Sequence, residues 1–443
     1  MVKKKRERKE ETGRLSPGIW MLGGLALIMT FLVYHSSLKN DFVNWDDPAY
    51  IMGNPHFKDF SIIKVFQSYD VGNYHPFTII SLYIDYQLSM SDVNDPSLLK
   101  PYYFHLHNLL LHLAGVMLVL GFAYFLLGKK GGAAFFVALL YGIHPMHVES
   151  VAWISERKDV LYAMYFFASL LCYMLYREHG QKKWYYWSLF FFLFSLFSKG
   201  QAVTLSLVIV LIDIYQRREI NKSFFIEKLP YLGLSFMFGL IAINAQQTGG
   251  GSGQVDISFF DSFLVGFFGI MMYVYKFFCP VNLACFHPYI FNEHGELPAI
   301  VNYSILIVIG IGTVIYFLSR KDRAVWFGPL FFLVTIFPVL QFFPVGRQII
   351  AERYTLIPYV GLSIFLIHLV QKLLEIPTCK KHYKTVYAGL GGFILVLSVQ
   401  AHNQAKIWEN TETLWSQVLE LYPNTTEAYI NRGYWYNQVK RYD

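Results

Sequence analysis

Apolar runs long enough to cross a bilayer recur along this chain, and no other feature constrains its fold as much. A helix needs about 20 residues to span the hydrocarbon layer. Runs of that order lie at Ile19–Tyr34 and near 106–127, 132–149, 159–176, 184–198, 201–216, 230–246, 299–318, 324–343, 355–371 and 384–401. Inside hydrocarbon every backbone N–H and C=O must be bonded by the protein itself, which restricts a spanning chain to helices or a closed barrel. Nothing here alternates residue by residue as barrel strands do. The expected fold class is therefore all-α, a polytopic membrane protein with about 11 transmembrane helices. Composition agrees, because 55% hydrophobic residues exceeds the roughly 45–50% of a soluble domain.

Cytoplasmic loops of membrane proteins carry the excess of lysine and arginine. The basic tail MVKKKRERKEETGR, Lys129 and Lys130, Arg177 with Lys182 and Lys183, and Arg217, Arg218, Lys222 and Lys228 fall in alternate connections. So do Arg320, Lys321 and Arg323, and Lys372, Lys380, Lys381 and Lys384. The N-terminus is expected in the cytoplasm, ahead of an uncleaved anchor, because HSSLKND offers no good small-residue cleavage site. Counting the apolar stretch 262–280 as a full span would place SRKDR outside, so it is read as re-entrant or interfacial, with Pro280 and Lys276 packed in protein. The expected organisation is a cytoplasmic tail over 1–17, a transmembrane domain over 18–402 with a long first outside loop at 37–104, and a distinct segment over 403–443. The net charge of +7 is accounted for by this bias and does not imply nucleic acid. Cys172, Cys279, Cys285 and Cys379 read as unpaired small residues without a thiolate metal pattern.

The last segment changes character. Trp415, Val418 and Pro423, then Ala428, Tyr429, Gly433 and Tyr436, match successive halves of tetratricopeptide repeats, with room for only an incomplete repeat region. Such repeats imply protein partners.

Chemistry-bearing residues gather in the outside segments. FVNWDD in the first loop sets Asp46 beside Asp47, and neighbouring carboxylates push each other's titration apart, as a general base and its orienter require. In FHLHNLLLHL, His105, Asn108 and His112 share one helical face that reaches from the mouth into a span, placed for inter-helix hydrogen bonds or for substrate contact. HPMHVE supplies His144, His147 and Glu149. Pro145 interrupts the His-x-x-His spacing and no third ligand follows, so a polar substrate cavity is the better reading and no metal is expected. Five cations disobey the positive-inside bias: Arg157, Lys158, Lys199, Arg347 and Arg353. A cation near hydrocarbon is costly unless paired, and with few acids nearby their convergence calls for an anion such as a lipid-borne phosphate.

Taken in order, FVNWDD, FHLHNLLLHL, HPMHVESVAWISERKD, SKGQAVTL and PVGRQIIAERYTLIPYVG, followed by the repeat-like segment, resemble the transmembrane and tetratricopeptide-repeat O-mannosyltransferases and their prokaryotic relatives. These belong to the C-type glycosyltransferase superfamily. The resemblance implies that fold, and an enzyme that moves a sugar, a mannose-like hexose, from a polyprenyl-phosphate carrier to a hydroxyl acceptor such as protein Ser/Thr, with inversion, on the extracytoplasmic face. It places the acidic first-loop motif on Asp46 and Asp47, and the basic signatures on Arg157, Lys199, Arg347 and Arg353. The lipid-linked sugar enters as co-substrate. No resident cofactor is implied, and a divalent cation is left open. A prokaryotic inner membrane is favoured, the endoplasmic reticulum being the alternative. One departure stands out: where relatives often read Ser-Lys-Glu, this chain has Ser198, Lys199 and Gly200. Two other functions fit the class, a membrane scaffold whose repeats recruit partners and a lipid-linked-sugar transporter.

Overall fold

A computed structural model describes residues 17–93, 98–248, 257–292, 295–320, 322, 324–342 and 346–440. Most of the basic tail, Lys321 and Arg323, and the glycine-rich stretch after Thr248 lie outside the described residues.

Helix dominates. In chain order the longer helices are α1 (Pro17–Tyr34), α2 (Pro76–Val93), α3 (Pro101–Leu126), α4 (Gly131–Ile143), the short α5 (Val148–Ala152), α6 (Arg157–His179), α7 (Lys182–Ser198) and α8 (Leu205–Tyr215). They continue with α9 (Lys222–Thr248), α10 (Phe259–Phe278), α11 (Ala299–Ser319), α12 (Ala324–Ile336), α13 (Pro358–Glu375), α14 (Tyr383–Ile407), α15 (Thr411–Leu421) and α16 (Thr426–Gln438). All eleven apolar runs read from the sequence carry helix, and the all-α membrane class stands. Seven helices among the described residues are long and apolar enough to cross a membrane. An eighth candidate is the pair around His144, bent by 54°. The stretch 262–280, read as re-entrant, lies largely within α10, one of those seven by length and composition.

Local chemistry explains the breaks. Proline opens α3 and α13, where its missing N–H is an orphan in any case. At the bend, the His144 side chain accepts from the Met146 N–H and Pro145 starts a new turn. Gly180 closes α6 in a left-handed conformation, its N–H bonded to the Tyr176 carbonyl. The core packs α6 against α7 and α3, and α12 against α13. The last pair comes very close: a Cβ on Gly328 would sit 2.5 Å from the Gly361 carbonyl oxygen, and the converse holds at the same distance.

Helix α6 is anchored at each end by buried charge. At its start Arg157 pairs with Asp85 of α2, with both side chains fully buried. Near its other end Tyr173 donates to Asp213 (2.7 Å), which also holds Lys228 at 2.5 Å and Arg218 at 2.9 Å. The two anchors are about 24 Å apart at 1.5 Å per residue. The first long loop is itself structured, with α2 laid against α3 and α7. A two-stranded antiparallel sheet pairs β1 (His287–Pro288) with β2 (Gln348–Ile350) and leads the chain into Arg353.

Candidate active site

The turn Ile154–Glu156 runs directly into α6, so four consecutive charged residues fan out in different directions. Arg157 turns into the protein. It donates to Asn108, to Ser81 at 2.7 Å, to Asp85 and to the Phe104 carbonyl at 2.8 Å. His107 also pairs with Asp85. Arg157 is thus fully engaged in seating α2, and the structure does not bring it to the other cations.

Its neighbours build the site. Glu156 lies 3.0 Å from the Lys158 ammonium, 3.3 Å from Arg353 Nε and 3.6 Å from Lys199 Nζ. Asp159 pairs with Lys199 and accepts from Ser150 at 2.9 Å. Because α7 runs back along α6, its C-terminal end delivers Lys199 to this spot. The acids that hold Lys199 therefore come from the turn before α6 and from its first turn. At the departure from the family pattern, a Cβ on Gly200 would stand 3.1 Å from the Ala242 methyl.

Arg353 is clamped by Glu149. One carboxylate oxygen takes the guanidinium and the other takes the Arg353 backbone N–H at 2.9 Å. The guanidinium carbon lies 5.0 Å from the Tyr354 ring centroid, 5.7 Å from Trp153 and 5.9 Å from Trp45. Trp45 and Trp153 stack with centroids 4.5 Å apart. The expectation that few acids lie near these cations is not met: Glu149, Glu156 and Asp159 face Arg353, Lys158 and Lys199.

The two aspartates differ sharply. Asp47 is buried, and its carboxylate accepts from the Val43 N–H at 2.9 Å, the Ser155 N–H at 3.1 Å and the Ser155 hydroxyl at 2.5 Å. Burial pushes its carboxyl up to about 6, with those hydrogen bonds opposing. No hydrogen bond among the described residues reaches the Asp46 side chain. Burial raises its carboxyl above the ordinary aspartate value, while Lys158 and Arg353 pull it down and Glu156 pushes it up. Asp46 is thus a carboxylate left open within the field of the cation cluster.

The remaining expected residues occupy supporting positions. His105 is buried against the backbone of Asn40 and Asp41. Asn108 bridges Arg157 to the Trp153 carbonyl (3.0 Å). His144 and His147, with rings 5.4 Å apart, bond the carbonyls of Phe277 (3.1 Å) and Tyr141 (2.9 Å). Among the described residues no three His, Cys, Asp or Glu side chains converge on a metal position. Arg347 is exposed and pairs with Glu427 of α16 at 3.1 Å, away from the cluster. Sequence reasoning missed Ser155, Trp153 and the organising part played by Glu156, although all lie in the motif HPMHVESVAWISERKD, whose density of charge in an apolar chain was the available signal.

No protein-family model matches the chain. It is 25% identical to the protein O-mannosyl-transferase TMTC4 of Homo sapiens, the alignment covering 94% of this chain and 64% of that protein. It is 24% identical to the protein O-mannosyl-transferase F38B6.6 of Caenorhabditis elegans, covering 96% and 61%. The chain thus spans about three fifths of the length of these curated relatives. Among solved structures, the crystal structure of the Archaeoglobus fulgidus oligosaccharyltransferase superposes with a TM-score of 0.50 at 14% identity, covering 96% of this chain and 59% of that one, a likeness of fold. The chain is thus similar along nearly its whole length to protein O-mannosyl-transferases, and it shares its fold with a solved oligosaccharyltransferase.

Proposed function

We propose that this chain is a membrane glycosyltransferase that moves a mannose-like hexose from a polyprenyl-phosphate carrier to a hydroxyl acceptor, protein Ser/Thr, on the extracytoplasmic face. The observation that carries the reading is the open carboxylate of Asp46 in the field of Lys158 and Arg353, two cations that Glu156 ties to Lys199. The named relatives are O-mannosyl-transferases, which supports the sugar and the acceptor class.

In this reading Asp46 takes the proton as the acceptor hydroxyl attacks the anomeric carbon. The carrier phosphate leaves from the opposite face with the bonding electron pair. Its developing charge meets Arg353 and Lys199, with Lys158 alongside. The acids that already neutralise these cations let them stand at membrane depth before the donor arrives. Asp47 holds the loop through Ser155 and does not touch the reacting atoms. Fixed charge aimed at the leaving group and a positioned base are the two contributions, the base supplying roughly 10²–10⁴-fold. Direct displacement inverts the anomeric centre.

The test is transfer by the purified chain in proteoliposomes, given a short-chain polyprenyl-phosphate mannose and a Ser/Thr-rich peptide. A mannosylated peptide of inverted configuration is expected. A retained configuration would remove direct displacement, and absence of transfer to any hydroxyl acceptor would remove the enzyme reading.

A further inference from the structure

The repeat-like segment after α14 implies protein partners by its sequence, and within this chain it grips the loop that carries Asp46 and Asp47. The Asn44 N–H donates to the Thr411 hydroxyl at 2.8 Å, and the Asn44 side-chain amide donates to Asn431 Oδ1 at 3.1 Å. The Asn44 carbonyl accepts from the Trp415 indole N–H at 3.1 Å. Three residues before Asn44, the Asp41 N–H donates to the Glu409 carbonyl at 2.8 Å, and the Asn40 side-chain amide donates to the Ala405 carbonyl at 3.1 Å. Trp45 packs against Trp415 with centroids 5.2 Å apart. Thr411 and Trp415 are buried.

The same two helices reach the other segments around the site. Tyr422 bonds His287 at 2.9 Å, and His287 in turn touches Glu352, next in the chain to Arg353. Glu427 of α16 takes Arg347. One helical pair therefore holds the loop of the open carboxylate, the β1 turn and the segment leading into the clamped arginine.

We propose that α15 and α16 are a built-in part of the catalytic centre, and that Asn44, through Thr411 and Asn431, is the positioning residue that sets Asp46. This deepens the function proposed above and rests on Asp46 acting there. The backbone logic is direct. The N–H groups of Val43, Asn44 and Trp45 are used in turn by Asp47, Thr411 and the Val43 carbonyl. Only the middle one depends on the C-terminal helices, and it lies two residues before Asp46. Releasing it frees the loop on that side while Ser155 still holds Asp47. A displacement of about 1 Å in a reacting group is enough to cost on the order of a hundredfold in rate.

The experiment uses the full chain in detergent with Thr411→Val, which keeps shape and removes the hydroxyl, Thr411→Ser, which keeps the hydroxyl, and Asn431→Ala. Two readouts are taken: hydrogen exchange at the amides of residues 43–46, and steady-state transfer from polyprenyl-phosphate mannose to a Ser/Thr-rich peptide. Thr411→Val is expected to speed exchange there at least tenfold and to lower kcat at least tenfold, with donor KM within twofold. Asn431→Ala should do the same to a smaller degree, and Thr411→Ser should behave as the parent. Parent-like exchange in folded Thr411→Val overturns the latch. Faster exchange with unchanged kcat, or a loss confined to donor KM, overturns its positioning role. Should Asp46→Asn transfer at the parent rate, the reading of Asp46 fails by itself, and the exchange measurement still decides whether the helices fix the loop.

Discussion

Ser155 gives both its backbone N–H and its hydroxyl to one oxygen of Asp47, at 3.1 and 2.5 Å. Two adjacent aspartates are thereby set to different tasks. Asparagine at position 47 can keep only one acceptor and must turn an amide N–H₂ toward a buried backbone donor, at Val43 or at Ser155. Leaving a buried donor unpaired costs about 1–3 kcal/mol. Asp47→Asn is expected to lower the thermal unfolding temperature in detergent, whereas Asp46→Asn leaves it unchanged. Asp46→Asn should instead lower kcat a hundredfold or more, about 3 kcal/mol in barrier, with donor KM unaltered. Equal melting temperatures, or parent-rate turnover of Asp46→Asn, would undo this division.

The carboxyl of Asp46 is raised by burial and held back by Lys158 and Arg353. A base works only when deprotonated, so kcat should fall as pH drops through a midpoint above the ordinary aspartate value of 3.8. Lys158→Gln removes a cation that favours the carboxylate and leaves Glu156 less neutralised. Both effects raise the Asp46 pKa, so the acidic limb should move to higher pH. A limb that stays in place under this substitution would show that another group titrates there.

Arg353 and Arg157 should fail in different ways. Arg353→Ala leaves the donor without its guanidinium fork, and donor affinity should fall at least tenfold. Arg353→Lys should recover part of it, since an ammonium keeps the charge but not the planar pair of donors. Titration of the purified variants with polyprenyl-phosphate mannose reads this, and unchanged affinity in folded Arg353→Ala would take the arginine out of the donor site.

Arg157→Ala leaves the buried Asp85 with His107 as its remaining ion-pair partner, and breaking a buried pair from one side costs up to about 3–5 kcal/mol. The expected result is lost stability, and protein that remains folded should bind donor as the parent does. A folded, stable Arg157→Ala with weakened donor binding would return Arg157 to the phosphate site.

Orientation is open to direct labelling. Lys58 lies in the first loop, on the same connection as Asp46, while Lys380 lies beyond the far end of α13, the helix that begins just after Arg353. With native cysteines replaced, an impermeant maleimide should modify Lys58→Cys in intact cells and Lys380→Cys only after permeabilisation. The reverse pattern would turn the site to the cytoplasm.

The apolar helices were legible because hydrocarbon leaves the backbone no alternative, so hydropathy alone located the eleven runs from α1 to α14. The motif residues were legible as well, but their tasks were not. Arg157 and Lys158 are neighbours with the same charge, and only the direction of the first turn of α6 sends one to Asp85 and the other to Glu156. Asp46 and Asp47 likewise differ only through which of them meets Ser155, a residue 108 positions away in the chain. The helix within the first loop, α2, was missed because its polar residues interrupt its hydropathy. Asp85, buried against Arg157, is one of them. The grip of Thr411 on Asn44 spans 367 positions, and no local pattern records such a pairing.

The paired anchors of α6 bear on how this molecule can move. Sliding the helix along its axis would tear the Arg157–Asp85 pair at one end and the Tyr173–Asp213–Lys228 knot at the other. Such a column has no stroke: it cannot act as a piston between the two faces of the bilayer. Movement is left to the loops and the strand-linked segments at the rim that carries Arg353, while the column keeps the charges at that rim in register.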